Sequence, residues 1–190
     1  LKDETSERAR SMHQKSLEID KKIANHHGIV SSLNNLARIE IEENNLVEAE
    51  EMASNALEIS EEIDYPRGVS NSMYSLAKIY TKQERYPESQ SILEKVHELA
   101  KGRGSMKSMA HAKVQLGIVY HKKGNFSEAN KNYLKSLEIY RDIANKPGET
   151  QVLTHLSELA FQTGKESEGE MYKRMSEEIN SILGSKNEEE

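Results

Sequence analysis

Seven histidines are the residues of this 190-residue chain best suited to metal binding or acid–base chemistry. Five stand alone, at positions 13, 97, 111, 121 and 155, and two form the pair His26-His27. No two have the H-x-x-x-H spacing that puts both imidazoles on one helix face, and H-E-x-x-H is absent. His26-His27 is better explained as a solvated turn than as a metal site. Because the chain has no cysteine, it offers no thiol nucleophile, thiolate ligand or disulfide.

The remaining catalytic motifs are also missing. No G-x-S-x-G elbow exposes a nucleophilic serine. Gly102-Arg103-Gly104-Ser105 lacks the spacing and the G-K-[ST] ending of a phosphate-binding loop, so we expect it to be one irregular linker. Adjacent carboxylates such as Glu42-Glu43 point apart on a helix, which indicates a solvated face. The sequence therefore predicts no catalytic site, no metal and no cofactor, and a protein that is not an enzyme.

The composition is typical of an elongated helical protein with a large surface. Hydrophobic residues make up 35% of the chain, charged residues 31% and aromatic residues 5%, with no tryptophan. No apolar run of about 18 residues could span a membrane, and the first ten residues have no signal-peptide core. The net charge of −6 argues against binding to nucleic acid. These features predict a cytoplasmic protein that contacts neither membranes nor nucleic acids.

The chain repeats itself every forty residues. Residues 15–28 and residues 135–148 share nine of fourteen identities at an offset of 120. Columns of like residues recur at the forty-residue period: Leu36, Leu76, Leu116 and Leu156, each followed by a small residue, and Ile19, Ile59, Leu99, Ile139 and Ile179. Glycines at 28, 68 and 148 mark three of the four expected unit starts. Such columns indicate an array of stacked units.

Each unit carries the signals of two helices. Residues 108–123 have apolar groups at helical spacing, and Gly124 is placed to end that helix. Ser127 is a plausible N-cap for a second helix that we expect to run to about Asn145. A helix pair buries only one face by itself, so neighbouring units must stack to complete a core.

The repeated residues resemble the tetratricopeptide pattern. Leu116-Gly117-Ile118-Val119-Tyr120, followed by Ala129 and Tyr133, is similar to L-G-x-x-Y and A-x-x-x-F. The forty-residue form looks like the repeats of kinesin light chain and of bacterial and archaeal regulators. HEAT or armadillo arrays have a similar period but do not repeat this set of residues. The resemblance implies an all-α, right-handed superhelical solenoid of antiparallel helix pairs, with about four and a half repeats.

The array is expected to fill residues 1–183. Residues 5–25 resemble the second helix (helix B) of a partial repeat, and the full repeats fall at about 28–65, 68–104, 108–147 and 148–183. Residues 184–190 are expected to be a disordered tail. Without its helix A, the partial repeat should leave the face with Ala9, Met12 and Ile19 partly uncovered. This predicts either a fragment of a longer array or self-association through the incomplete N-terminal repeat.

The resemblance places a partner-binding groove on the first helix (helix A) of each repeat. Residues three or four apart share one helix face, which defines columns five and two before the period-40 leucine and two and five after it. The predicted groove residues are Asn34, Arg38, Asn71, Tyr74, Lys78, His111, Ile118, His121 and Lys122. Ile41, Thr81 and Val114 fall in the same columns. The alternative is a polar helix face without a ligand.

Charge placement suggests what the groove would bind. From Leu99 to Ser127 the chain has six basic residues and no acidic one. Lysines on the central helices A would attract a protein or peptide partner that is acidic. The leading hypothesis is a non-catalytic scaffold that binds such a partner, and the alternative is the sensor portion of a larger regulator whose effector lies outside this chain.

The leucine column gives a first testable prediction. Leu116→Ala should lower the free energy of unfolding by about 2–5 kcal/mol, because it removes a side chain expected to be fully buried. Urea denaturation measures this cost. A value near zero would mean that the forty-residue register is wrong.

Overall fold

The computed structural model describes residues 4–186, and every regular element in that range is an α-helix. The nine helices are α1 (Glu4–Lys22), α2 (His26–Glu42), α3 (Leu46–Glu62), α4 (Pro66–Lys82), α5 (Tyr86–Gly102), α6 (Met106–Lys122), α7 (Phe126–Asp142), α8 (Lys146–Gln162) and α9 (Glu166–Lys186). The helices α2, α4, α6 and α8 are the predicted helices A, each beginning two residues before the expected repeat start. Helix α9 continues into the predicted tail, whose residues 187–190 lie outside the described part.

The eight connections between these helices share one backbone conformation. Each has three residues, and the middle residue always has a positive φ, from 48° at Asp64 to 79° at Gly124. In the first connection the Asn25 amide donates to the Asp20 carbonyl and the Ala24 amide to the Lys21 carbonyl. These are the two hydrogen bonds of a Schellman motif, and equivalent pairs close the other seven connections. The structural period is therefore twenty residues, half of the sequence period.

Two sequence-based expectations about the connections were wrong. Residues 103–105 are not an irregular linker, because Gly104 adopts the left-handed conformation (φ 64°) that glycine takes without strain. Ser127 is not the N-cap of α7; Asn125 has that role, and its side chain accepts from the Glu128 amide at 3.3 Å. The Schellman turn fixes the cap at the residue after the left-handed one, which sequence preference alone did not reveal.

The helices form two compact units, residues 1–92 and residues 93–190, with the division inside α5. In the first unit α1, α2, α3 and α4 pack consecutively, and α2 also packs on α4. In the second unit α6, α7, α8 and α9 pack in the same consecutive way. The period-40 leucines are each exposed by 4% or less, as predicted, and belong to the cores of the two units.

Small residues in the helices let neighbouring rings and backbones approach closely. The Tyr133 ring, which is fully buried, packs onto Gly117 in the space that a Cβ would occupy. A Cβ on Gly148 would lie 2.7 Å from the Tyr140 ring, so this glycine marks a close contact between helices rather than a turn. Ser157 uses its hydroxyl to donate to the Gly169 carbonyl at 2.9 Å across α8 and α9.

One buried carboxylate joins two helices of the second unit. Glu149, only 4% exposed, accepts a hydrogen bond from Arg141 Nε and another from Lys146 Nζ, both at 2.8 Å. Burial raises the pKa of Glu149, but the hydrogen bonds from Lys146 and Arg141 outweigh it and hold the pKa below its ordinary value. The ionised form is thus favoured in the folded state, which links the stability of α7–α8 packing to pH.

The Glu149 cluster predicts an acid-sensitive contribution to stability. At pH 7, Glu149→Gln should lower the free energy of unfolding by about 1.5–3 kcal/mol, because hydrogen bonds to a charged group are lost. The depressed pKa makes this contribution complete above the ordinary value of 4.5, and it disappears as the pH falls through the lower folded value.

Urea denaturation of both proteins from pH 7 to pH 3 measures the effect. The difference between wild type and Glu149→Gln should close at the acidic end, while the exposed Glu138→Gln control should stay near wild type throughout. A difference that is constant over this range would contradict the assignment.

Candidate functional site

The predicted groove residues lie on the helices A of the two units. In the first unit they come from α2 and α4. Arg38, Asn71 and Lys78 are exposed, whereas Asn34 and Tyr74 are half-buried. The Asn34 amide donates to the Val30 carbonyl at 3.1 Å and to Ser72 Oγ at 3.0 Å. Asn34 therefore joins α2 to α4, and its buried Oδ1 accepts no hydrogen bond within the described residues.

The charged part of this face is centred on Glu42. Lys78 Nζ lies 2.6 Å from Glu42 Oε1 in an exposed ion pair between α4 and α2. The Lys78 hydrogen bond lowers the pKa of Glu42, against a smaller opposing effect of burial, and the charges of Lys82 and Arg38 lower it further. Lys82 Nζ also donates to the Ile41 carbonyl at 2.9 Å. One cation thus pairs with this carboxylate and two more act on it electrostatically, so these four side chains sum to a charge of +2.

Sequence reasoning did not include Glu42 and Lys82 in the groove. Both stand in one column, six residues after the period-40 leucines. The same column contains Lys122, which was predicted, and Gln162, which was not. Glu42 and Lys82 could therefore have been found by extending the choice of Lys122 to the other repeats. The structure brings the column beside Lys78 because α2 packs directly on α4.

In the second unit the predicted residues come from α6. Lys122 is exposed and makes no ion pair within the described residues. His111 is half-buried, and burial, with a smaller effect of Lys107, lowers its pKa. Ile118 packs against the core of this unit and is only partly accessible. His121 Nε2 forms a hydrogen bond with Gln162 Oε1 of α8.

Aromatic rings extend this face toward α8. The His155 ring stacks on Tyr133 with centroids 5.4 Å apart and an interplanar angle of 12°. His121 packs edge-to-face on Phe126 and Tyr133, at 5.8 and 6.4 Å. His155 Nδ1 lies 3.4 Å from Glu158. The predicted set omitted His155 and Gln162, because their contacts with Tyr133 and His121 join different helices, and repeat columns do not show such contacts.

Three residues in the predicted groove columns cannot line an open surface. Ile41, Thr81 and Val114 are buried, with at most 8% of each residue exposed. Expecting them to face the groove was wrong, because these positions turn toward the neighbouring helices. Nor do the described residues bring three or more His, Asp or Glu side chains into an arrangement that could hold a metal ion.

Each helix within residues 4–186 is too short or too polar to cross a bilayer. The helix-A faces offer exposed cations together with amides and half-buried imidazoles.

Solved structures resemble this fold closely. BtubC (BKLC) from P. vanneervenii superimposes with a TM-score of 0.77 and 19% identity, over 95% of this chain and 75% of that one. A Rap protein complexed with competence and sporulation factor gives 0.73 and 14%, over 87% and 52%. The STAND signal-transduction ATPase with a tetratricopeptide repeat sensor from Pyrococcus horikoshii gives 0.72 and 21%, over 90% and 27%. These likenesses establish the fold.

The chain spans about half of the Rap protein and about a quarter of the STAND protein. Among curated protein sequences, none matches it. Family models described as tetratricopeptide repeat match residues 2–62, 72–107 and 110–143, which together are well over half of the sequence. The matches agree with the consecutive helix pairs of the structure. The chain belongs to the tetratricopeptide repeat family.

Proposed function

We propose that the chain is a non-catalytic scaffold that binds an acidic segment of a protein or peptide partner on its helix-A faces. The observation that carries this proposal is the cluster of Arg38, Lys78 and Lys82 around the single carboxylate of Glu42. A net positive face is unusual in a chain of net charge −6, and it would attract an acidic partner. A cytoplasmic location is part of the proposal.

The second unit supplies a different kind of contact. Lys122 adds an exposed cation at the end of α6, in the same repeat column as Lys82. The half-buried imidazoles of His111, His121 and His155 can donate and accept hydrogen bonds, which suits a peptide backbone. Within this unit, Lys122 would attract an extended acidic segment and the imidazoles would fix its register.

The alternative function is the sensor portion of a larger regulator. It is supported by the likeness to the STAND protein, whose tetratricopeptide repeats are described as a sensor, and to the Rap protein solved with a bound factor. In that case the same helix-A faces would bind the signal. Both functions require Lys78 and Lys122 to bind the partner. They differ in whether this binding changes the activity of an attached domain.

Self-association through α1 stays a prediction. Met12 and Ile19 are exposed by 63% and 58%, as expected for an uncovered face, whereas Ala9 is half-buried.

Charge reversal tests the proposed function. Lys78→Glu combined with Lys122→Glu should weaken binding of an acidic peptide about tenfold, because favourable charges become repulsive. The exposed Lys78–Glu42 pair contributes about 0–1 kcal/mol to folding, so stability should change little. The measurement is fluorescence anisotropy of a fluorescein-labelled peptide of alternating Glu and Ser, with each single variant included.

Lys95→Glu is the matched control for each single variant, since it makes the same charge change on an exposed position of the helix B α5. Its affinity should stay near wild type. Raising NaCl from about 0.1 to 1 M shortens the Debye length from about 10 to about 3 Å and should also weaken wild-type binding. Equal affinity for the double variant and Lys95→Glu, together with indifference to salt, would rule out the positive face as the binding surface.

A further inference from the structure

At one position of the repeat, the side chain becomes much smaller in the last repeat of the second unit. The residues four after the period-40 leucines are Glu40, Tyr80, Tyr120 and Ala160. Alanine at the last position removes a large side chain from a place that tyrosine fills in two other repeats. The surroundings of Tyr80 therefore show what Ala160 leaves open.

Tyr80 occupies a niche at the junction of α3, α4 and the start of α5, all within the first unit. Its ring packs with Leu46 against a core that includes Leu76 and Ile79. The Arg85 guanidinium lies over the ring, 4.0 Å from its centroid, in a cation–π contact. Arg85 is held there by ion pairs with Glu88 at 3.1 Å and Glu50 at 3.2 Å.

The corresponding place in the second unit is a cavity. It has a volume of about 260 Å³ and lies between α7, α8 and the start of α9. Its lining includes Phe126, Asn130, Leu156, Leu159, Ala160 and Lys165. Eighty residues earlier stand Leu46, Glu50, Leu76, Ile79, Tyr80 and Arg85, which are Tyr80 itself and its neighbours. The cavity is thus the Tyr80 niche without its tyrosine.

The polar rim is equivalent as well. Lys165 lies 3.5 Å from Glu168, as Arg85 pairs with Glu88, so a cation is again positioned beside the niche. Asn130 replaces Glu50, and its neutral amide can donate to or accept from a phenol hydroxyl. Apolar walls with a cation and an amide at the rim suit an aromatic ring with one polar end.

We propose that this cavity is a binding site for a tyrosine side chain presented by a protein partner. Small-molecule pockets begin at about 300 Å³, so a cavity of about 260 Å³ suits a single side chain rather than a larger ligand. Buried tyrosines are frequent anchors of protein interfaces, because the ring is large and rigid and the hydroxyl finds a polar partner.

The site is separate from the proposed helix-A face. On α8 the groove columns contain Thr154 and Glu158, whereas Leu156, Leu159 and Ala160 line the cavity. At 100° per residue these two sets point to opposite sides of the helix. The proposed tyrosine site can therefore be tested independently of acidic-peptide binding.

The test uses the full chain and p-cresol, which is the tyrosine side chain as a free molecule. In nuclear magnetic resonance titrations p-cresol should shift the signals of Ala160, Leu156, Leu159 and Phe126. Ala160→Tyr should abolish binding, or weaken it at least tenfold, because the new ring fills the cavity. It should also raise the midpoint of thermal unfolding, since Tyr80 and Tyr120 already fit this column.

Two controls separate cavity filling from other effects. Glu138→Tyr adds the same ring at an exposed position of α7 and should leave p-cresol binding unchanged. Lys165→Ala should weaken binding about two- to fivefold, the size of an exposed cation–π contact. Conversely, Tyr80→Ala should create a second p-cresol site in the first unit, with shifts at Leu46 and Ile79.

Several outcomes would overturn the proposal. They are shifts that map elsewhere, no binding at millimolar p-cresol, or equal binding by wild type and Ala160→Tyr. Toluene binding as tightly as p-cresol would assign the cavity to phenylalanine instead of tyrosine. If Ala160→Tyr does not fold, the wild-type shift map, Lys165→Ala and Tyr80→Ala still decide the question. The p-cresol titration does not measure binding of the acidic peptide, so a negative result for one proposal does not contradict the other.

Discussion

The architecture depends on how the chain reverses direction after each helix. Every connection has three residues, places its middle residue at positive φ and closes with the same two Schellman hydrogen bonds. Because the turn has one conformation, helices of seventeen residues recur without slippage from α2 to α8. Five of the eight left-handed residues are not glycine, among them Ala24 and Ala144. The two hydrogen bonds that close each turn hold these residues in the left-handed conformation despite its strain.

Because the turns have one conformation, the position of a residue within the repeat determines the role of its side chain. The leucine of each helix A always points into the core, and the small residue after it allows close approach. Tyr133 on Gly117 and Tyr140 on Gly148 use the same device at different positions. Where the side chain at one repeat position is smaller than in the other repeats, the neighbouring helices do not move to compensate, since their turns fix them. Ala160 consequently leaves a cavity rather than a collapsed core.

Charges follow a different rule from apolar residues. Glu149 is buried and ionised only because Arg141 and Lys146 reach it from two sides. Glu42 is exposed, and its three cationic neighbours exceed what one carboxylate can neutralise. The first arrangement is predicted to contribute to stability, whereas the second leaves an exposed excess of positive charge, which is the basis of the proposed partner binding. Both consist of the same residue types, so burial and pairing, not composition, distinguish the two arrangements.

The sequence by itself determined the helix content, the repeat and the buried leucine column, because these follow from periodicity along the chain and need no knowledge of distant contacts. It also indicated the family through Leu116-Gly117 and Ala129. Only the tertiary structure decided that Gly104 sits in a regular turn, that Lys78 meets Glu42, that His155 stacks on Tyr133 and that Ala160 borders a cavity. Each of these features depends on which residues of separate helices come into contact. A repeat column in the sequence indicates which side of a helix is buried, but it does not indicate which residues of the neighbouring helix pack against that side.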